Sequence, residues 1–264
     1  MKTNIRESIK TIVLSKQDIY KGNLILVNKN FPLKQQHSNS SESLISVSSQ
    51  HPDIFLQKTA VNMLTQLMIA CKGENQIVPV SGYRSLGEQQ QIFKDSLSEN
   101  GEAFTLKYVA YPNHSEHQSG LAIDVAENKE NIDFIRPFFP YDGICQSFRM
   151  KAARYGFIER YQKGKEAIIG ISHEPWHFRY IGFPHSEIIQ ENDYTLEEYI
   201  DFLRAFPYDG KHLLFENIDQ QIEIFYVKAT DEPQNTIFLA EDVPYQVSGN
   251  NNDGFIITVW RIKL

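Results

Sequence analysis

The sequence is short of cysteine, of positive charge and of long apolar runs, and each shortage excludes something. Cys71 and Cys145 are its only cysteines. Two isolated residues make no disulfide framework, and no C-x-x-C pair is present, so they read as free thiols in apolar surroundings. Lys and Arg number 26 against 33 Asp and Glu, a net charge of −7. A nucleic-acid binder shows a basic stripe, and none is visible. No stretch, the N-terminal one included, is apolar for long enough to act as a signal peptide or span a membrane. The expectation is a cytoplasmic protein with no membrane anchor and no nucleic-acid partner.

What is present is an ordinary globular composition. Over 264 residues, 41 % are hydrophobic and 22 % charged, enough for one large domain or a domain with a small appendage. Seventeen Phe and thirteen Tyr point to an aromatic core or a flat-walled cleft. The serine-rich stretch 35–51 reads as a loop. From Asp53 the apolar spacing of Ala60, Val61, Leu64, Leu67, Met68 and Cys71 predicts a helix, with Gly73 as its stop. A strand follows at "QIVPV". Ser85 and Glu88 then form a capping box that starts a helix, which leaves Arg84 at the mouth of the preceding strand.

Strands are predicted at Leu121–Ala126, "FIERY", "EAIIGI" and "WHFRYIG". Helices are predicted over Cys145–Tyr155, ended by Gly156, at "PHSEIIQEN", and at "TLEEYIDFLRAF" behind a second box, Thr195 with Glu198. After Pro207 the texture becomes β-rich, with "NNNDG" as a hairpin turn. The expected division is a domain over 1–207 and a small β appendage over 208–264.

Two stretches carry chemistry. "HEPWH" (173–177) matches H-E-x-x-H, the pattern that on a helix aims two imidazoles at one zinc. Pro175 breaks that helix, so the reason for pairing His173 with His177 disappears. The run "WHFRYI" instead places His177 inside a strand, with Glu174 just ahead of it and His173 a bystander. "SEHQSGLAID" (115–124) offers His117 on a loop and Asp124 on a strand. The small Gly120 and Ala122 between them allow close approach. A catalytic zinc takes three protein ligands of this kind. His114 stands apart from the pattern.

S-x-H-x-x-G-x-A-x-D followed by E-P-W-H, with "SGYRS" ahead of them, resembles the zinc D-alanyl-D-alanine peptidases of the VanY type. The resemblance covers about Leu24 to Leu203. It implies an α+β fold with a mixed or antiparallel central sheet, flanking helices and a catalytic zinc cleft; the small C-terminal β subdomain lies outside that shared core. It implies Zn2+ held by His117, Asp124 and His177, Glu174 as general base and then acid, and Arg84 stabilising the developing oxyanion. It implies Ser115 and Gln89 holding the substrate around its terminal carboxylate.

The implied reaction is hydrolysis of terminal D-alanyl-D-alanine in the free dipeptide, in soluble peptidoglycan pentapeptide precursors, or in both. That would remove the target of vancomycin, most like the bifunctional VanXY type. An L,D-carboxypeptidase trimming tetrapeptides stays open, with the choice lodged in the loops 101–113 and 127–144. So do a zinc-dependent muropeptide-binding module without catalysis and a partner-binding role for the β appendage. Oligomeric state is left open.

Overall fold

The computed structural model describes residues 8–34, 44–216 and 220–262. The chain gathers into two compact units, Val27–Tyr199 and a second formed by Met1–Leu26 with Ile200–Leu264. The architecture is α+β with open antiparallel sheets. Among the described residues no helix is long and apolar enough to cross a membrane.

β1 (Ile9–Ser15) belongs to the second unit. The first unit opens with a hairpin of β2 (Leu44–Ser48) and β3 (His51–Gln57). This corrects two expectations. Residues 44–51 are strand and turn rather than loop, and the helix starts at Lys58 rather than Asp53. The stretch 51–57 is held by pairing with β2, with only Leu56 fully buried. Residues 35–43 of the expected loop lie outside the described residues.

Helix α1 (Lys58–Cys71) buries the predicted stripe of Ala60, Val61, Leu64, Leu67 and Cys71, while Met68 is half-buried. It ends with Lys72 at φ 60, and Gly73 donates back to the Met68 carbonyl, so the stop is a two-residue one. β4 (Ile77–Ser81) leads to α2 (Leu86–Asn100), and the Ser85–Glu88 box is made on both sides. α3 (Glu102–Tyr108) follows, then a 3₁₀ turn over Glu116–Ser119.

β5 (Ala122–Glu127), α4 (Gly143–Ala152) and β6 (Phe157–Tyr161) lie as expected, with Gly156 left-handed between the last two. "EAIIGI" departs from expectation. It is a single helical turn, α5 (Glu166–Ile169), closed by Gly170 at φ 83. A short apolar run has no period to tell the two apart. β7 (Glu174–Tyr180), α6 (His185–Asn192) and α7 (Leu196–Leu203) complete the unit, whose boundary falls within α7. Thr195 and Glu198 cap α7 reciprocally.

The sheet runs β4-β5-β7-β6, antiparallel throughout. Strand alternation sorts its side chains. Ile123 and Val125 of β5 and Phe178 and Tyr180 of β7 join one core with the apolar stripes of α1 and α4. Asp124, His177 and Arg179 take the positions between them.

In the second unit β8 (Leu213–Glu216), β9 (Gln220–Lys228), β11 (Tyr245–Gly249) and β12 (Gly254–Ile262) form a sheet in the order β11-β12-β9-β8. β10 (Gln234–Ala240) pairs instead with β1, from Ile9 opposite Ala240 to Ser15 opposite Gln234. Ile12, Leu14 and Ile19 thereby share a core with Phe225, Ile237, Phe255 and Ile257. The division expected at residue 207 is therefore not the one seen: among the described residues, 8–26 and 200–207 go with the C-terminal strands. The "NNNDG" turn is present, with Asn251 at φ 61 and the Asn250 side chain accepting from three backbone amides. Residues 217 and 218 of the expected strand "KHLLFENI" lie outside the described residues.

Candidate active site

Sheet register builds the centre of the site. Asp124 on β5 and His177 on β7 are directly opposed partners, so their side chains rise side by side from one face. His117 arrives from the 3₁₀ turn, which Gly120 ends in a left-handed conformation at φ 70. The left-handed backbone at Gly120 is what the return from His117 into β5 needs glycine for, and a Cβ there would also push against the movable Leu44 Cδ2 at 2.7 Å.

His117 Nε2 lies 3.2 Å from Asp124 Oδ2, and His177 Nδ1 lies 2.8 Å from Asp124 Oδ1. All three residues are buried, and one ligand atom from each falls within 4.8 Å of the others. Two imidazoles and a carboxylate are a borderline-soft donor set that suits zinc. The far ring nitrogens are also engaged. His117 Nδ1 lies 2.8 Å from the Gly82 carbonyl oxygen and His177 Nε2 lies 3.3 Å from Glu116 Oε2. Such outer bonds fix which nitrogen faces a metal. The residues therefore fit a metal ion. His173 is not among them: it sits against Tyr141, 2.7 Å from its hydroxyl. His114 bonds the Asn28 carbonyl.

The cluster opens into a cleft of about 330 Å³, lined among others by Arg84, Ser115, Tyr108, Tyr161, Glu174 and Trp176. Burial pushes the Glu174 carboxyl up to about 8, aided by the charges of Asp124 and Glu116 and against those of His177 and Arg84. Burial alone would raise Asp124 too, but His117, beside it, and the bonds to both imidazoles hold it far below the usual carboxylate range. Arg84 donates from Nη2 to Asp124 Oδ2 at 3.2 Å and from Nε to Ser81 Oγ at 3.0 Å. Its backbone amide donates to the His117 carbonyl.

Six of the seven residues singled out in the sequence thus meet in one cleft. Gln89 does not. It is fully buried on α2, and its amide nitrogen donates to the Ala110 carbonyl at 2.8 Å, behind a residue of the cleft wall.

Residues missed in the sequence surround His177. Tyr161 stacks on its ring at 4.5 Å between centroids. Glu116, Arg160 and Arg179, all fully buried, form ion pairs beneath it. One signal was available: Arg179 lies two residues beyond His177 on a strand and so shares its face.

Comparison with known proteins gives the family. Residues 53–183 match the model of the VanY family, described as D-alanyl-D-alanine carboxypeptidase. The bifunctional D-Ala-D-Ala dipeptidase and D-Ala-D-Ala carboxypeptidase VanXYC of Enterococcus gallinarum is 44 % identical over 181 residues, 68 % of this chain and 94 % of that protein. The chain belongs to the VanY family. Within that family, the likeness to one solved structure extends past residues Val27–Tyr199. The vancomycin-resistance D,D-dipeptidase VanXYg, solved with a D-Ala-D-Ala phosphinate analogue, is 53 % identical with a TM-score of 0.93, over 96 % of this chain and all of that one. The D,D-pentapeptidase VanY of a VanB-type cassette, solved as a variant with Zn(II), is 29 % identical with a TM-score of 0.57, over 67 % of this chain and 98 % of that one.

Proposed function

We infer that this protein is a zinc-dependent D,D-peptidase that cleaves the terminal D-alanyl-D-alanine bond of the free dipeptide and of soluble pentapeptide precursors. The observation that carries the reading is the convergence of His117, Asp124, His177, Glu174 and Arg84 on one cleft. The support from outside is a 53 % identical D,D-dipeptidase aligned over 96 % of the chain.

His117, Asp124 and His177 would hold Zn2+, which when bound would supply a Lewis acid for the peptide carbonyl and a water of lowered pKa. Glu174 takes the proton of the attacking water. Burial strengthens its carboxylate as a base, and it returns the proton to the leaving D-alanine amine. Arg84 offers a fixed cation to the oxygen that gains charge. Ser115 holds the substrate's terminal carboxylate. Gln89 acts at one remove, fixing the Ala110 carbonyl behind the cleft wall. On this reading the enzyme works in the cytoplasm and lowers the supply of vancomycin's target.

The test is D-alanine release from D-Ala-D-Ala, from soluble pentapeptide precursor and from tetrapeptide, with zinc and after chelation. Release from the first two, lost on chelation, is expected. Release from the tetrapeptide alone would make the protein an L,D-carboxypeptidase. Muropeptide binding with no release from any of them would make it a binding module.

A further inference from the structure

Four fully or largely buried charges lie under His177, and their arrangement is lopsided. Glu116 Oε1 accepts from Arg160 Nε at 2.8 Å and is 3.0 Å from Arg179 Nη1. Its other oxygen, Oε2, is 3.3 Å from His177 Nε2. The far edge of Arg160 is met by Glu197 with two bonds, 2.9 Å from Nη1 and 2.7 Å from Nη2. The side chains of Glu116, Arg160 and Arg179 are 0 % exposed.

Stability alone does not account for this cluster. Taking a charge out of water costs several kcal/mol, and apolar side chains of similar size commonly serve a core as well. The bidentate Arg160–Glu197 pair is already complete, so Glu116 and Arg179 add two more buried charges beyond it. Two carboxylates and two guanidiniums sum to zero net charge. Both cations crowd one oxygen of Glu116 and leave the other for the imidazole.

Stacking on Tyr161 fixes the plane of the His177 ring but not which edge faces the sheet. A half-turn about the Cβ–Cγ bond would keep that plane and exchange the two edges, putting carbon where each nitrogen lies. A carboxylate at Nε2 decides the question. It accepts a proton held there, and Nδ1 is left on the Asp124 side, 2.8 Å from Oδ1, where its lone pair becomes available to an ion that displaces the Nδ1 proton.

We propose that Glu116, clamped by Arg160 and Arg179, is a positioning residue that sets the ring edge and proton tautomer of His177. The role rests on the metal-site reading above, because its effect is to aim Nδ1 at the ion. Glu116→Gln tests it with almost no change of shape. The two guanidiniums demand an acceptor, so the amide oxygen turns to them and the amide NH2 is left facing Nε2. That NH2 donates to Nε2 and favours the opposite tautomer.

The expected result is a loss of zinc affinity of about ten- to a hundredfold, measured by competition with a chromophoric chelator, at unchanged circular dichroism. A second measurement needs no variant: nitrogen NMR of the zinc-loaded wild type should show His177 protonated at Nε2 and coordinated through Nδ1. Coordination through Nε2, or equal zinc affinity in a folded Glu116→Gln chain, would overturn the role alone. A wild type that binds no zinc would overturn the metal site, and the role with it.

Discussion

At the scale of single residues the site is governed by what burial does to ionisable groups. Burial alone would lower the His177 pKa, but bonds to Asp124 and Glu116 and their charges raise it to about 9. The folded value lies above the ordinary 6.5, so without metal the imidazole keeps its proton through neutral pH and sheds it only near pH 9. An incoming ion must displace that proton, so zinc affinity should climb with pH up to about 9, roughly tenfold per unit for one proton. Chelator competition between about pH 6.5 and 8.5 checks this, and a flat profile would contradict it. Arg84 gives a second expectation. Arg84→Ala should lower kcat by about two orders of magnitude, on the order of 3 kcal/mol, if the guanidinium meets the charge developing on the substrate. A change confined to KM would instead assign Arg84 to ground-state binding.

At the scale of elements, what could be read in the sequence was what has a period or a cap. The helix stripe from Ala60 to Cys71 and the boxes at Ser85–Glu88 and Thr195–Glu198 are local patterns, and local patterns survive folding. Pro175 was informative in the same way. It ruled out a zinc helix, and β7 places His177 opposite Asp124 instead. The strand at 51–57 was misread because its order comes from pairing with β2, which its own sequence does not announce. Glu116 was passed over because nothing local marks a carboxylate whose partners lie 44 and 61 residues away. Gly120 can be tested directly. Gly120→Ala forces φ 70 on a residue with a side chain, so it should destabilise the fold by about 1 kcal/mol or more. Denaturant unfolding measures that; an unchanged midpoint would show that the turn relaxes freely.

At the scale of the whole molecule, the boundary in the chain is not the boundary in space. Composition changes at residue 207, yet β1 from the N-terminus completes a ladder with β10. Deleting residues 208–264 would therefore leave Ile12, Leu14 and Ile19 without the core they share with the C-terminal strands. The shortened chain should aggregate or bind a hydrophobic dye. A monomeric product with unchanged turnover would contradict this. What the assembled cleft does depends most on Glu174. The most direct measurement is D-alanine release from D-Ala-D-Ala and from soluble pentapeptide precursor, by wild type and by Glu174→Ala at equal zinc content. A fall of about a hundredfold or more in the variant is the result expected of a lost general base; undiminished release would contradict the mechanism.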